Sequence, residues 1–133
     1  MTNSEKARVL VVDDEEVVRR GFARSLAAEF EAHTATDGAD ALQAMARRPA
    51  DVVLLDLRMP GAQGLEILKA MKQKWPQTEV VIITGYPSVE SAKDAVRLGA
   101  GDYLAKPVGP CEIIDATRNA LTRKRWTLRT QLN

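Results

Sequence analysis

The sequence has little of several residue types on which common protein sites depend. Its 133 residues include one cysteine, Cys111, and one histidine, His33. A single cysteine excludes an internal disulfide and suits a reducing compartment, and we expect an inert thiol that is buried or half-exposed. The apolar runs are too short to span a bilayer, and the first eight residues, MTNSEKAR, lack the apolar stretch of a signal peptide. We therefore expect a cytoplasmic protein with no membrane contact.

A strong net charge is also absent. The formal charge is +1 and 45% of the residues are hydrophobic, which is ordinary for one soluble domain of this length. The charge is uneven, because all 18 acidic residues precede residue 118. The segment after them contains only basic charges, at Arg118, Arg123, Lys124, Arg125 and Arg129. We interpret these as a solvated helix end, where cations suit the helix dipole, and not as a nucleic-acid contact.

Short apolar runs predict the strands. VLVVDD (9–14), VVLLD (52–56) and VVIIT (80–84) are rich in β-branched residues, and each ends in a polar group. Continuous rather than alternating hydrophobicity predicts strands buried on both faces, as in a parallel sheet covered by helices. Weaker strand patterns lie at EAHTA (31–35) and DYLA (102–105).

Between these runs, apolar residues recur every three or four positions, which predicts helices. The recurring residues are Val18, Phe22 and Leu26, then Leu42 and Ala46, then Leu65, Leu68, Met71 and Trp75, then Val89, Ala92 and Val96, and finally Ile114, Thr117 and Leu121. Asp37-Gly38 and Pro110 suit helix starts, whereas Pro76 and Gly99 suit helix ends. Five strand–helix units in succession predict one doubly wound α/β domain.

The fifth helix is longer than a sheet requires. Three to four turns from Pro110 would cover the sheet, yet no Gly or Pro interrupts the chain as far as Leu132. Ile114, Leu121 and Leu128 repeat at seven residues, which is compatible with a short coiled-coil seam. A frayed helix terminus explains the same residues, and both interpretations stay open.

Polar residues at the strand ends predict the site. In an open parallel sheet, ligands bind beyond the carboxyl ends of the strands where the strand order reverses. Asp13 and Asp14 follow the first strand, Asp56 the third and Thr84 the fourth, and Lys106 follows the fifth. Each could be a structural cap, but a structural role does not explain why all five would meet at one edge.

Crowded carboxylates favour a bound cation. Asp13, Asp14 and Asp56 would raise one another's pKa values, and a set of oxygen ligands without Cys or His favours Mg²⁺, with Mn²⁺ as a substitute. Lys106 and Thr84 offer a cation and a hydroxyl donor to a phosphoryl group. Because aspartate can form acyl-phosphates, we interpret Asp56 as the nucleophile.

The motifs VVDDEE (11–16), LLDLRMPG (54–61), IITGYP (82–87) and GAGDYLAKP (99–107) are specific in combination. With them, residues 7–122 resemble the receiver domain of a bacterial two-component response regulator. The resemblance implies a flavodoxin-like (βα)5 fold with the strand order 2-1-3-4-5. It also implies a phosphorylation-dependent switch, not an enzyme apart from Mg²⁺-dependent autophosphorylation and slow self-dephosphorylation.

The resemblance assigns roles to single residues. Asp56 would accept a phosphoryl group from a sensor histidine kinase. Asp14 and Asp56 would bind Mg²⁺ directly, Asp13 mostly through water, and Arg58 through its backbone carbonyl. Lys106 and Thr84 would bond the phosphoryl group, and Tyr103 would be the rotating switch aromatic that changes the helix 4–strand 5–helix 5 face. The Lys106-Pro107 peptide would be cis.

The segments LRMPG and ITGYPSVESA are similar to the corresponding segments in receivers of the nitrogen-regulator type. Those receivers precede an ATPase domain and a DNA-binding domain. We therefore expect a receiver at 1–122 and, at 123–133, an extension of helix five that links to an output domain. DNA binding would belong to that output domain; a stand-alone receiver is the alternative. A homodimer would use the helix 4–strand 5–helix 5 face or the long helix. One departure is Gly101, often bulkier in the family, which we expect to loosen the entry to strand five.

Three rival functions fit less well. A haloacid-dehalogenase-type phosphatase needs a second aspartate two residues after its nucleophile, where this chain has Arg58. A flavodoxin-like FMN carrier needs a phosphate loop after strand one, where DDEE (13–16) would repel phosphate. A receiver that is folded but never phosphorylated is disfavoured because all five site residues are present.

Overall fold

The computed structural model describes residues 6–58 and 64–132, with side chains up to Thr130. Met59–Gly61 of the LLDLRMPG motif and Asn133 lie outside the described residues. The strands are β1 (Arg8–Val12), β2 (Glu31–Ala35), β3 (Val52–Leu55), β4 (Glu79–Thr84) and β5 (Asp102–Ala105). The helices are α1 (Glu16–Leu26), α2 (Gly38–Arg47), α3 (Gly64–Lys74), α4 (Val89–Arg97) and α5 (Pro110–Leu132).

The five strands form one parallel sheet in the order β2-β1-β3-β4-β5, which confirms the predicted fold and strand order. The strand order reverses between β1 and β3, because the chain first moves outward to β2 and then returns. Val12 pairs with Leu55, Leu55 with Ile82, and Thr84 with Ala105. This register brings the carboxyl ends of β1, β3, β4 and β5 to one edge of the sheet.

Apolar side chains on the two faces of the sheet form two cores. Leu10, Val53 and Ile82 point into the core that includes residues of α2, α3 and α4. Their chain neighbours point the other way, into the core that includes residues of α1 and α5. All four residues of β3 are buried, so the continuous apolar run follows from helices covering both faces.

The residues predicted to begin or end helices lie at helix termini in the structure. The Asp37 side chain caps α2 by accepting a hydrogen bond from the Asp40 amide. Gly99 follows α4 with a φ of +103°, a left-handed conformation that favours glycine at a helix end. The helix α5 begins at Pro110, and α3 ends at Lys74, two residues before Pro76.

The predicted apolar stripe of α4 lies largely in solvent. Val89 is 73% exposed and Val96 is 68% exposed, whereas Ala95 is fully buried. The helical period was right, but Ala95 and Leu98 make the contact with the core. Small alanine side chains allow α4 to approach the sheet closely, so the larger valines are not needed for packing.

The helix α5 runs for 23 residues, and the predicted heptad does not form a free seam along it. Leu121 is buried in the domain's own core, and Ile114 packs against the same core. Of the three heptad residues, only Leu128 lies beyond that core. Cys111 is exposed near the start of α5, so the expectation of a buried or half-exposed thiol was wrong.

The basic residues of α5 are not simply solvated, which corrects the interpretation from sequence. Arg118 binds Glu29, Arg123 Nε lies 2.9 Å from Glu79 Oε1, and Lys124 Nζ lies 2.8 Å from Asp51 Oδ1. Three of the five basic side chains therefore pair with acids of the domain. Within the described residues, no helix is long and apolar enough to cross a membrane.

Candidate functional site

Three carboxylates meet at the carboxyl edge of the sheet. Asp13 and Asp14 follow β1 and Asp56 follows β3, and one oxygen of each lies within 4.8 Å of the others. Asp13 is 2% exposed and Asp56 is 5% exposed, whereas Asp14 is open to solvent. The structure therefore brings together the three acids that were predicted to share a site.

Backbone amides hold the two buried carboxylates in place. The Glu15 amide donates to Asp13 Oδ1 at 2.9 Å, and the Arg58 amide donates to Asp56 Oδ1 at 3.1 Å. Each amide lies two residues after the aspartate that it binds, an arrangement common where the chain turns after a strand. The other oxygen of each carboxylate is left to face the centre of the site.

Lys106 contacts both buried aspartates. Its Nζ lies 2.7 Å from Asp13 Oδ2, 3.4 Å from Asp56 Oδ2 and 3.5 Å from Glu15 Oε1. The Lys106-Pro107 peptide is cis, as the resemblance implied. Without a bound ligand, Lys106 is thus held mainly by Asp13 and not by Asp56.

The environment shifts the pKa values of these groups. Burial raises the pKa of Asp56, and the nearby charge of Asp13 adds to the effect, although the Arg58 amide and Lys106 oppose it. Burial works against the charged form of Lys106, but its contacts with Asp13 and Asp56 prevail and raise its pKa. Lys106 therefore stays charged, while the charged form of Asp56 is less favourable than that of a carboxylate in water.

Thr84 ends β4 and is buried at the same edge. Its Oγ1 accepts a hydrogen bond from the Tyr86 amide at 3.1 Å, and the Lys106 amide donates to its carbonyl at 2.8 Å. Because Oγ1 acts as an acceptor in this bond, its own hydrogen remains available to a ligand.

Tyr103 lies in β5 on the side of α4. Its hydroxyl lies 2.5 Å from Ser91 Oγ and accepts a hydrogen bond from the Ser88 amide at 3.2 Å. Ser88 also caps α4 through the Ser91 amide. Tyr103 was predicted from the motifs, but neither serine was, although Ser88 has the pattern of a helix cap.

Arg58 lies at the entrance to the site. Its guanidinium carbon is 4.1 Å from the centre of the Tyr86 ring, a distance typical of a cation–π contact. The sequence predicted a role only for the backbone carbonyl of Arg58, not for its side chain. Tyr86 was not predicted, although it follows Thr84 by two residues, as Arg58 follows Asp56.

The donor set fits a hard divalent cation. The three carboxylates outnumber the single ammonium of Lys106, so the described site has an excess of negative charge, and all the candidate ligand atoms are oxygens. Mg²⁺ takes oxygen ligands and usually keeps several waters, which suits a cluster that is open at Asp14. The residues present are therefore those that a magnesium ion requires.

Comparisons with known proteins agree with this geometry. Residues 9–118 match the family model described as the response regulator receiver domain. The chain is similar to the regulatory protein AtoC of Escherichia coli (strain K12), with 45% identity over 101 residues, which is 75% of this chain and 22% of AtoC. It is also similar to the DNA-binding transcriptional regulator NtrC of the same strain, with 39% identity over 115 residues, which is 86% of this chain and 24% of NtrC.

A solved structure, NtrX from Brucella abortus, superposes with a TM-score of 0.89 at 34% identity and covers 95% of this chain and 30% of that one. The chain thus spans about a quarter of the length of the curated relatives described above.

Proposed function

The chain belongs to the response regulator receiver domain family, of the nitrogen-regulator type predicted from its motifs, and from that premise we propose that Asp56 is its phosphoryl acceptor. One observation carries the proposal. The Asp56 carboxylate is buried at the sheet edge, within 4.8 Å of two further aspartates and 3.4 Å from Lys106. A structural cap would not need two more carboxylates and a partly buried cation beside it.

The reaction is a transfer from a phosphohistidine of a sensor histidine kinase. An oxygen of Asp56 bonds to phosphorus, and the bond between phosphorus and the imidazole nitrogen breaks. The imidazole keeps that electron pair and takes up a proton. Burial of Asp56 keeps bulk water from its carboxylate, and the Arg58 amide holds one oxygen fixed, so the other can be aligned with the donor.

Mg²⁺, or Mn²⁺ in its place, would be held by Asp14 and Asp56 directly, by Asp13 mostly through water and by the Arg58 carbonyl. When bound, it would supply positive charge that offsets the carboxylates and the phosphoryl group. Lys106, whose Nζ lies 2.7 Å from Asp13 Oδ2, pairs with the new phosphoryl group once Asp56 is phosphorylated. The free hydroxyl hydrogen of Thr84 donates to a second phosphoryl oxygen.

The change at Asp56 reaches the surface through Thr84 and Tyr103. If Thr84 moves toward the phosphoryl group, Tyr103 exchanges its hydrogen bonds at Ser88 and Ser91 for an inward position. This alters the face made of α4, β5 and α5. The domain is then a switch and not an enzyme, apart from Mg²⁺-dependent autophosphorylation from small donors and slow self-dephosphorylation.

We expect self-association to involve this face. Exposed Val89 and Val96 favour α4, because Leu121 of the alternative α5 seam is already buried in its own domain. Light scattering with and without beryllofluoride, on Val96→Lys and Leu128→Lys, distinguishes the two. Loss of a dimer in Val96→Lys alone supports the α4 face, loss in Leu128→Lys alone supports the helix, and a chain that is monomeric throughout contradicts both.

Residues 1–122 would form the receiver and residues 123–133 a linker toward an output domain, which would make contact with DNA. A cytoplasmic location remains a prediction. The function is tested by incubation with a small phosphodonor, with Mg²⁺ or with EDTA, followed by intact-mass measurement. A gain of about 80 Da that requires the metal supports the proposal. No gain contradicts it and favours a receiver that is never phosphorylated, whereas a bound yellow cofactor would favour the flavodoxin alternative.

A further inference from the structure

The opposite edge of the sheet holds a second cluster of charges, which phosphorylation does not use. Arg123 Nε donates to Glu79 Oε1 at 2.9 Å, and Lys124 Nζ donates to Asp51 Oδ1 at 2.8 Å. Glu79 is the first residue of β4, and Asp51 directly precedes β3. Both acids therefore lie at the amino ends of the strands whose carboxyl ends lead to Thr84 and Asp56.

These ion pairs connect β3 and β4 to the C-terminal half of α5, and a further hydrogen bond adds β1. Asp51 Oδ2 also accepts a hydrogen bond from the Arg8 amide at 2.8 Å, which links β1 to the same carboxylate. The side chains of Glu79 and Lys124 are mostly buried, and the Arg123 Nη2 atom is buried with no hydrogen-bond partner in the described part of the chain. These are therefore not ordinary surface ion pairs.

Gly101 explains how Arg123 reaches Glu79. A Cβ atom at position 101 would lie 2.6 Å from Glu79 Oε1 and 2.7 Å from both Arg123 Nε and Nη2. These distances are shorter than any van der Waals contact. The φ of Gly101 is not positive, so its backbone conformation does not require glycine. Glycine at this position leaves room for the ion pair, whereas the expectation that Gly101 loosens the entry to β5 stays a prediction.

Beyond Lys124 the helix has no further charged contact with the domain among the described residues. Trp126 is 65% exposed, and Thr130 bonds only within the helix, to Trp126 and Thr127. The pairs of Arg123 and Lys124 are therefore the last charged attachment before the helix projects from the domain.

We propose that Glu79, Asp51, Arg123 and Lys124 form a latch that fixes the direction in which α5 leaves the domain, and that Gly101 is the residue that lets it close. With the latch closed, residues 125–132 continue rigidly from the sheet, and a movement of β3 or β4 is passed to them. With the latch open, the end of α5 is a free helix. The unpartnered Nη2 atom of Arg123 opposes the ion pairs, so we expect the latch to open more readily than a fully hydrogen-bonded pair would.

The test compares two Gly→Ala variants in the full chain without phosphodonor. Gly101→Ala introduces the clash, whereas Gly21→Ala is the matched control, because a Cβ at Gly21 meets nothing within 4 Å. Amide hydrogen exchange of residues 121–130 is followed together with the rate of tryptic cleavage after Arg123, Lys124 and Arg125. Gly101→Ala should accelerate both by roughly fivefold or more, without an equal acceleration in β1 and β3, and Gly21→Ala should not.

A second set of variants keeps the test decisive if Gly101→Ala fails to fold. Glu79→Gln and Arg123→Gln should each accelerate exchange in residues 121–130, and the double variant should do so no more than the stronger single one. The proposal is overturned if the two effects add, or if Gly101→Ala behaves like Gly21→Ala. None of these outcomes depends on whether Asp56 accepts a phosphoryl group.

Discussion

Asp51 and Asp56 stand just before and just after β3, and the fold shifts their pKa values in opposite directions. Burial raises the pKa of Asp56, where Lys106 is shared with Asp13. Burial also acts on Asp51, but Lys124 and the Arg8 amide outweigh it and lower the pKa of Asp51. The fold thus disfavours the charged form of the aspartate at one edge of the sheet and favours it at the other.

The opposite pKa shifts of Asp51 and Asp56 distinguish an edge of the sheet that can still bind a ligand from an edge whose charges are paired within the domain. At the carboxyl edge, three carboxylates face one ammonium, so a cation or a phosphoryl group can still improve the arrangement. At the amino edge, Asp51 and Glu79 each have a basic partner from α5, so neither carboxylate needs a ligand to balance its charge. Perturbed carboxylates that lack enough partners mark functional sites more reliably than acidic residues as such.

Removing the ammonium group of Lys106 from the carboxyl edge should have the largest effect on the conformational switch. Lys106→Ala should still be phosphorylated to some extent, but the conformational change should be lost, since no other described basic side chain contacts Asp56. Amide spectra of the Thr84 and Tyr103 regions, recorded before and after beryllofluoride, measure this. Lys69→Ala, an exposed lysine of α3, is the control, and a full shift in Lys106→Ala would show that another group couples the two.

The affinity for Mg²⁺ at the carboxyl edge should depend more on Asp14 than on Asp13. Asp14→Asn should lower Mg²⁺ affinity by about tenfold or more. Asp13→Asn should lower it less, because the proposed role of Asp13 is to bind the ion mostly through water, and Asp13 also holds Lys106. Isothermal titration calorimetry is the suitable measurement, as Trp126 lies far along α5. Equal losses in the two variants would reject the distinction between direct and water-mediated ligands.

Neutralising Asp51, just before β3, and Asp56, just after it, should change the free energy of unfolding in opposite directions. In metal-free buffer at pH 7, Asp56→Asn should raise the free energy of unfolding by about 1 kcal/mol, because it removes a charge that the fold disfavours. Asp51→Asn should lower it by less than about 1 kcal/mol, because solvent reaches the Asp51 carboxylate and screens its interaction with Lys124. Urea titrations of both variants provide the values, and changes of the same sign would contradict the comparison.

The smallest expected effect is the pH dependence of the Asp51 contribution. Since the pKa of Asp51 is lower in the folded than in the unfolded state, its stabilisation is complete above the unfolded value. It is lost as the pH falls through the folded value. The stability difference between the wild type and Asp51→Asn should therefore be constant near neutrality and shrink progressively once the pH falls below the unfolded value of about 4. A difference that persists at lower pH would mean that Asp51 acts through packing and not through charge.

Much of the fold could be predicted because its signals are local. Continuous apolar runs such as VVLL (52–55) require two covered faces, and Asp37, Pro76 and Gly99 have backbone preferences that hold in any context. The carboxyl-edge site was predictable for a related reason. Parallel strands place their ends together, so residues that follow strands must meet even when they are far apart in sequence.

The remainder depends on contacts that have no local period. Nothing in the sequence near Arg123 specifies Glu79 as its partner. The reason for glycine at position 101 becomes clear only when the side chains of Glu79 and Arg123 are seen to pack against it. The face that α4 presents to the core is set by how closely Ala95 lets it approach. For the same reason, the serines bound by Tyr103 could not be assigned.

The central claim is that the carboxyl edge carries the chemistry and the amino edge supports it. Its most direct test is one phosphodonor reaction with Mg²⁺, run in parallel on the wild type, Asp56→Asn and Asp51→Asn and followed by intact mass. We predict a gain of about 80 Da in the wild type and in Asp51→Asn, and none in Asp56→Asn. Labelling of Asp56→Asn at the wild-type level, or its loss in a folded Asp51→Asn, would contradict the account.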